Sequence, residues 1–165
     1  MPPTPVHLPE LDGAIAPVRP ALLAKVAWVL AADEQMWRGT VRHDPDERCP
    51  VRLLATERYE VWVIGWTTDQ QARLHDHGGS TGALVVTAGE LVEVVPRSGA
   101  LVEHRLPRGA LRAFPVGTVH DVVNRGRQPA TSIHVYSPPL TTMTYYDTTT
   151  LLPTETVTST PDAPL

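Results

Sequence analysis

In 165 residues the chain has one cysteine (Cys49), one lysine (Lys25) and one phenylalanine (Phe114). A lone cysteine excludes an intrachain disulfide and fits a reducing compartment. Cys49 stands beside Pro50 in a polar segment and reads as incidental. With lysine nearly absent, positive charge resides on guanidinium groups, which suit planar, bidentate contact with carboxylates. A net charge of −4 gives no basic face for nucleic acid. The apolar stretch over 21–32 is interrupted by Lys25 and falls short of the roughly 20 residues that span a bilayer. The start, Met1-Pro2-Pro3-Thr4-Pro5, lacks the basic residues and apolar run of a secretory signal, so a soluble cytoplasmic protein with no membrane partner is expected.

The length suits one domain with a real core. Residues 1–18 are rich in proline and predict an irregular arm. Helical spacing follows, from Pro20 in a first turn to Trp37 before Gly39, with Leu22, Val26, Val29, Leu30, Met36 and Trp37 near one face. The domain plan is thus an arm over 1–18, a helical segment over 19–50 packed on a barrel over 51–147, and a Thr/Pro-rich tail over 148–165 with room for one more edge strand. From Val51 the pattern changes to short β runs. Over 59–67, Val61 and Val63 face one side while Trp62, Ile64 and Trp66 face the other. Further runs cover 83–87, 90–95, 101–106, 110–114, 119–124, 130–136 and 142–146, separated by Gly- and Pro-containing turns. Many short strands at this spacing predict a mainly β fold, best fitted by a jelly-roll barrel.

Histidines are the chemical signal. His75 and His77 are two apart, so on an extended segment both rings point to one face, while Asp76 points away. His120 would arrive from a separate strand, after the turn Pro115-Val116-Gly117. Three imidazoles on one metal leave coordination positions open for chemistry. Imidazole accepts Zn, Ni, Cu and Fe alike, so the donor set does not choose the metal. His7 and His43 fall in polar, proline-containing segments and predict solvated rings, and His104 reads as a surface residue. Ser132, His134 and Tyr136 lie at i, i+2 and i+4 of one strand. They form either an interior hydrogen-bonded chain or an outward polar face with Thr131, Ile133 and Val135 inside.

Two composite motifs carry a family resemblance. The first is His75-x-His77, then Gly82 and Gly89. The second is Gly109, Pro115-x-Gly117, His120 and Asn124. They resemble the two motifs of the cupin superfamily, and Gly82 stands where many cupins carry a glutamate ligand. With Ser132-Ile133-His134-Val135-Tyr136-Ser137-Pro138-Pro139 and Arg52-Leu53-Leu54, the chain resembles the cysteine dioxygenase family of thiol dioxygenases over roughly residues 50–147. That resemblance implies a cupin jelly-roll β-barrel with an N-terminal helical segment, and Fe(II) on His75, His77 and His120. It also implies a relay of Ser132, His134 and Tyr136, with Arg52 holding the substrate carboxylate and Tyr136 touching the substrate. Arg58 competes with Arg52 for the carboxylate. Animal members cross-link the relay tyrosine to a cysteine at the position of Gly82; here Tyr136 should stay an unmodified phenol. A cis bond before Pro138 is also implied.

The implied activity is conversion of L-cysteine and O2 to cysteine sulfinate. Other small thiols (3-mercaptopropionate, mercaptosuccinate) and a non-catalytic metal-binding cupin sensor are the competing readings. The implied partners are the thiol and dioxygen; the family includes monomers, and the chain carries no dimer signature. Trp62 and Trp66 read as core residues rather than a substrate platform.

Overall fold

The alternation of β2 (Glu60–Trp66) and the unbroken burial of β8 (Ala130–Ser137) define a sheet covered on both faces. The computed structural model describes residues 15–159, so His7 and most of the expected N-terminal arm lie outside it. The remaining strands are β1 (Cys49–Ala55), β3 (Thr81–Ala88), β4 (Glu90–Arg97), β5 (Ala100–Pro107), β6 (Leu111–Phe114), β7 (Asp121–Val123), β9 (Thr142–Tyr146) and β10 (Pro153–Thr158). They form a five-stranded sheet in the order β1-β2-β8-β3-β6, a three-stranded sheet β5-β4-β7, and the pair β10-β9. Every described pairing between strands is antiparallel. β10 makes part of the expected tail an ordered edge strand.

Two apolar clusters occupy the two sides of the five-stranded sheet. Val61, Val63, Ala83, Val85, Ile133 and Val135 pack outward on the helical segment. Trp62, Ile64, Trp66, Leu84, Leu91, Leu106, Phe114 and Tyr136 belong to the barrel interior. Period-two side-chain direction produces this division: one strand serves both cores.

The helical segment departs from expectation twice. It is two helices, α1 (Pro20–Ala32) and α2 (Glu34–Trp37), broken at Asp33, whose ψ of 77° is far from helical. Its buried face is Leu23, Ala24 and Ala27, with Val26 and Leu30 packed beside them. Leu22, Val29 and Met36, which periodicity put inside, are exposed. The small side chains Ala24 and Ala27 let the helix approach the sheet closely, so packing turns the helix away from its bulkiest stripe.

Candidate metal centre

His75 and His120 meet on neighbouring backbone segments rather than on long strands. The two form an isolated antiparallel bridge, each backbone N–H donating to the other's carbonyl at 2.9 Å. This clamp brings His120 to the extended segment that carries both His75 and His77, and one ring nitrogen from each lies within 4.8 Å of the others. His75 Nε2 and His77 Nε2 are 3.1 Å apart. All three rings are buried.

The protons of two ligands can be placed from their outer partners. His75 Nδ1 faces the Arg73 carbonyl at 2.7 Å, which can only accept, so Nδ1 carries the proton and Nε2 is left with a lone pair. His120 Nδ1 lies 2.9 Å from Glu93 Oε1, and Arg112 Nε donates to the other Glu93 oxygen at 3.1 Å. Burial opposes ionisation of Glu93, but the His120 hydrogen bond and charge, with Arg112, hold its carboxyl below the ordinary value. Burial, then the charge of His120, lowers His75 to about 3, and burial with its two histidine neighbours takes His77 well below 6.5. Imidazoles whose outer nitrogens are tied to a carbonyl and a carboxylate are the donor set of a metal centre, and these residues fit one. Glu93 had escaped the sequence reading. An acidic residue in phase with the core residue Leu91 on β4 was the available signal.

Gly82 is explained by its two neighbours across the sheet. It pairs with Phe114 on β6 and Tyr136 on β8. A Cβ at residue 82 would overlap the Phe114 ring, which stacks on His77 at 4.9 Å and 21°. Neither a glutamate nor a cysteine fits without moving Phe114, and Tyr136 has no cysteine beside it at this pairing. The second motif closes through Asn124, whose side chain donates to the Trp66 and Gln128 carbonyls and accepts from Gly126 N–H. Asp76 points away from the histidines, accepting from Gly78 N–H and from the Tyr146 hydroxyl.

Ser132, His134 and Tyr136 face the barrel interior, while Ile133 and Val135 face the helix. The outward reading of this strand is therefore excluded. Ser132 Oγ lies 2.8 Å from His134 Nε2, and His134 Nδ1 lies 3.0 Å from Tyr136 Oη. A fourth member heads the chain: Trp66 Nε1 donates to Ser132 Oγ at 2.9 Å. The sequence reading had placed Trp66 only in the core. Burial holds His134 well below 6.5 and pushes the Tyr136 phenol up. Two proton arrangements use every contact of the chain; in one Tyr136 donates to Nδ1 and Nε2–H to Ser132, and in the other the direction is reversed. In the reversed arrangement Trp66 donates to Ser132, Ser132 donates to Nε2, and Nδ1–H donates to Tyr136 oxygen, leaving the phenol proton free for the cavity.

A cavity of about 50 Å³ joins the two groups, lined by His75, His120, His134, Tyr136, Trp62 and Trp66 among others. Arg48 also lines it, with its guanidinium 5.4 Å from the Trp66 ring centre. Arg52 sits over Trp62 at 5.6 Å, and its guanidinium lies 3.7 Å from buried Glu60. Arg58 is exposed on the turn after β1, where its backbone carbonyl accepts from Ser137. The bond between Ser137 and Pro138 is cis, as the resemblance implied. Of the other histidines, His104 is partly exposed, and exposed His43 still reaches the Ala130 carbonyl with its ring.

A barrel of this topology with three converging histidines defines a metal-binding cupin. The sequence model of the family Cysteine dioxygenase type I matches residues 18–149, and the chain belongs to that family. Solved structures agree on the fold. A sugar phosphate isomerase of the cupin superfamily from Silicibacter pomeroyi is 29% identical, covering 61% of this chain and 65% of its own, with a TM-score of 0.52. A conserved protein with a double-stranded β-helix domain from Klebsiella pneumoniae is 23% identical, covering 61% and 85%, with a TM-score of 0.55. The cupin domain of Schizosaccharomyces pombe Cnp3 is 11% identical, covering 60% and 65%, with a TM-score of 0.52. No helix among the described residues is long and apolar enough to cross a membrane.

Proposed function

We propose that this protein is a cytoplasmic, non-haem Fe(II) thiol dioxygenase that converts L-cysteine and O2 to cysteine sulfinate. The observation that carries this reading is the shared cavity: a buried three-histidine centre beside a hydrogen-bonded chain ending in Tyr136. His75, His77 and His120 would hold the iron, which would act as a Lewis acid favouring the deprotonated sulfur and as the redox centre for dioxygen. The overall change is RS⁻ + O2 → RSO2⁻: sulfur loses four electrons, dioxygen gains four, and both oxygens end on sulfur. No further reductant is needed.

The chain's own residues bind and orient. Tyr136 keeps its proton, because burial disfavours phenolate, and donates a hydrogen bond into the cavity where sulfur and oxygen would meet. His134 and Ser132 fix the direction of that donor. Glu93 orients His120. The substrate carboxylate is assigned to Arg52, which shares the Trp62 side of β1 at the edge of the cavity, whereas Arg58 lies on the turn after β1. Ile64, Leu140 and Met143 keep the pocket apolar around these groups.

Dioxygen uptake by the Fe(II)-loaded protein, with sulfinate quantified, tests the reading. Uptake driven by L-cysteine and matched one-to-one by cysteine sulfinate is expected. A preference for 3-mercaptopropionate would keep the chemistry and reject the substrate. Uptake with neither thiol would reject the activity.

A further inference from the structure

Two cations stand on the barrel-facing side here: Arg48, just before β1, lines the cavity, and Arg52, on β1, sits at its more exposed edge. Val51 and Leu53 pack towards the helix, so Arg48, Pro50 and Arg52, in alternate positions, belong to the opposite side. Opposite them on β2 stand Trp62 and Trp66, four residues apart and both in the interior cluster. The result is two parallel stacks, Arg48 over Trp66 and Arg52 over Trp62.

The two guanidiniums differ in what surrounds them. Arg52 lies 3.7 Å from Glu60, which is buried and pinned by the Leu140 N–H at 2.9 Å. Arg48 has no carboxylate within ion-pairing distance among the described residues, yet it lines the cavity shared with His75, His120, His134 and Tyr136. A half-buried guanidinium stacked on an indole, with its hydrogen-bonding edge uncommitted, is a preformed anion site. A second, independent observation points the same way. The Trp62 indole N–H, on the same cavity wall, is buried with no acceptor among the described residues. Buried donors of this kind are costly and are satisfied in native states, so an acceptor is missing from this wall.

We propose that Arg48 is a substrate-binding residue, which grips the substrate carboxylate together with Arg52, while the Trp62 N–H donates to one of its oxygens. Arg48 supplies the charge that Glu60 does not offset. Arg52, drawn towards Glu60, supplies the second edge. Because Trp66 both carries Arg48 on its face and donates to Ser132, carboxylate binding and the Tyr136 chain rest on one indole. This inference rests on the thiol reading of the site.

L-Cysteine and cysteamine differ by the carboxylate alone, and their binding can be followed without turnover. The protein is loaded with Co(II) and titrated under anaerobic conditions, reading thiolate-to-metal charge-transfer absorption. Wild type should bind L-cysteine more tightly than cysteamine. Arg48→Gln should weaken L-cysteine by about tenfold or more while cysteamine changes by about twofold at most, and Arg48→Lys should recover part of the loss. Trp62→Phe should weaken L-cysteine by less, again sparing cysteamine. Equal weakening of both ligands by Arg48→Gln, or no change in either, overturns the proposal while leaving the thiol reading intact. Wild type that binds both ligands equally also overturns it. A protein that binds neither thiol at its metal rejects the thiol reading, and this proposal with it.

Discussion

The two faces of β8 are equally buried and chemically opposite. Ile133 and Val135 face the helix in a dry apolar layer, while Ser132, His134 and Tyr136 face the barrel in a chain of hydrogen bonds. The outer face is held by shape, and the inner face by paired donors and acceptors. A cavity on the outer side costs packing energy; a deletion on the inner side strands a partner that water cannot reach. Burial alone therefore says little about which face does chemistry.

The largest contrast should come from removing a metal ligand. His120→Ala should abolish stoichiometric metal binding, measured by metal analysis after dialysis, while circular dichroism keeps the β signature. Retained metal at full occupancy would mean the ion is held elsewhere. On the outer face, Ile133→Ala should cost about 2–5 kcal/mol of stability by denaturant titration without altering metal content. If metal content falls as well, the two faces are not independent.

Acid should load the inner face selectively. His75, His77 and His134 are neutral in the fold but take up a proton near pH 6.5 when unfolded. Below that value the unfolded state binds more protons, so stability of the metal-free protein falls as pH drops. For His75 the decline runs from about 6.5 to about 3. Each such group contributes up to about 1.4 kcal/mol per pH unit within its window. Melting temperatures of the metal-free protein from pH 8 to 5 test this, and a flat profile would contradict the neutral assignments. Glu93→Gln keeps the size of the side chain and removes its charge; metal affinity should drop about 10–100-fold. The smallest structural effect belongs to Tyr136→Phe. It should cost about 1 kcal/mol of stability, leave metal content intact and impair turnover with the thiol. Unchanged turnover would remove the phenol from the mechanism.

Local pattern carried much of this site. The i, i+2 spacing of His75 and His77, the turn before His120, and the Ser132-His134-Tyr136 alternation all encode side-chain direction within a few residues. The alternation of β2 likewise assigned Val61 and Val63 to one layer and Trp62 to the other. The helix was less legible. Its bulky residues Leu22 and Val29 formed the stronger stripe, but the sheet accepted the narrower face of Ala24 and Ala27. Arg48 looks like a surface charge within its own segment, whereas Glu93 shares the phase of core Leu91 on β4, a signal that does not say what it faces.

By itself the sequence determined which histidines can converge, the two-layered strands and the turns between them, because each depends on backbone geometry over a handful of positions. Tertiary structure decided which guanidinium enters the cavity, that Glu93 rather than a fourth ligand brings a carboxylate to the metal site, and that Trp66 heads the chain to Tyr136. Those choices depend on register and curvature between strands far apart in the chain. Glu93 pairs with Val122 beside His120, and Trp66 lies one strand from Ser132. Contacts of that kind are set by how the sheets close on each other, which no local periodicity records.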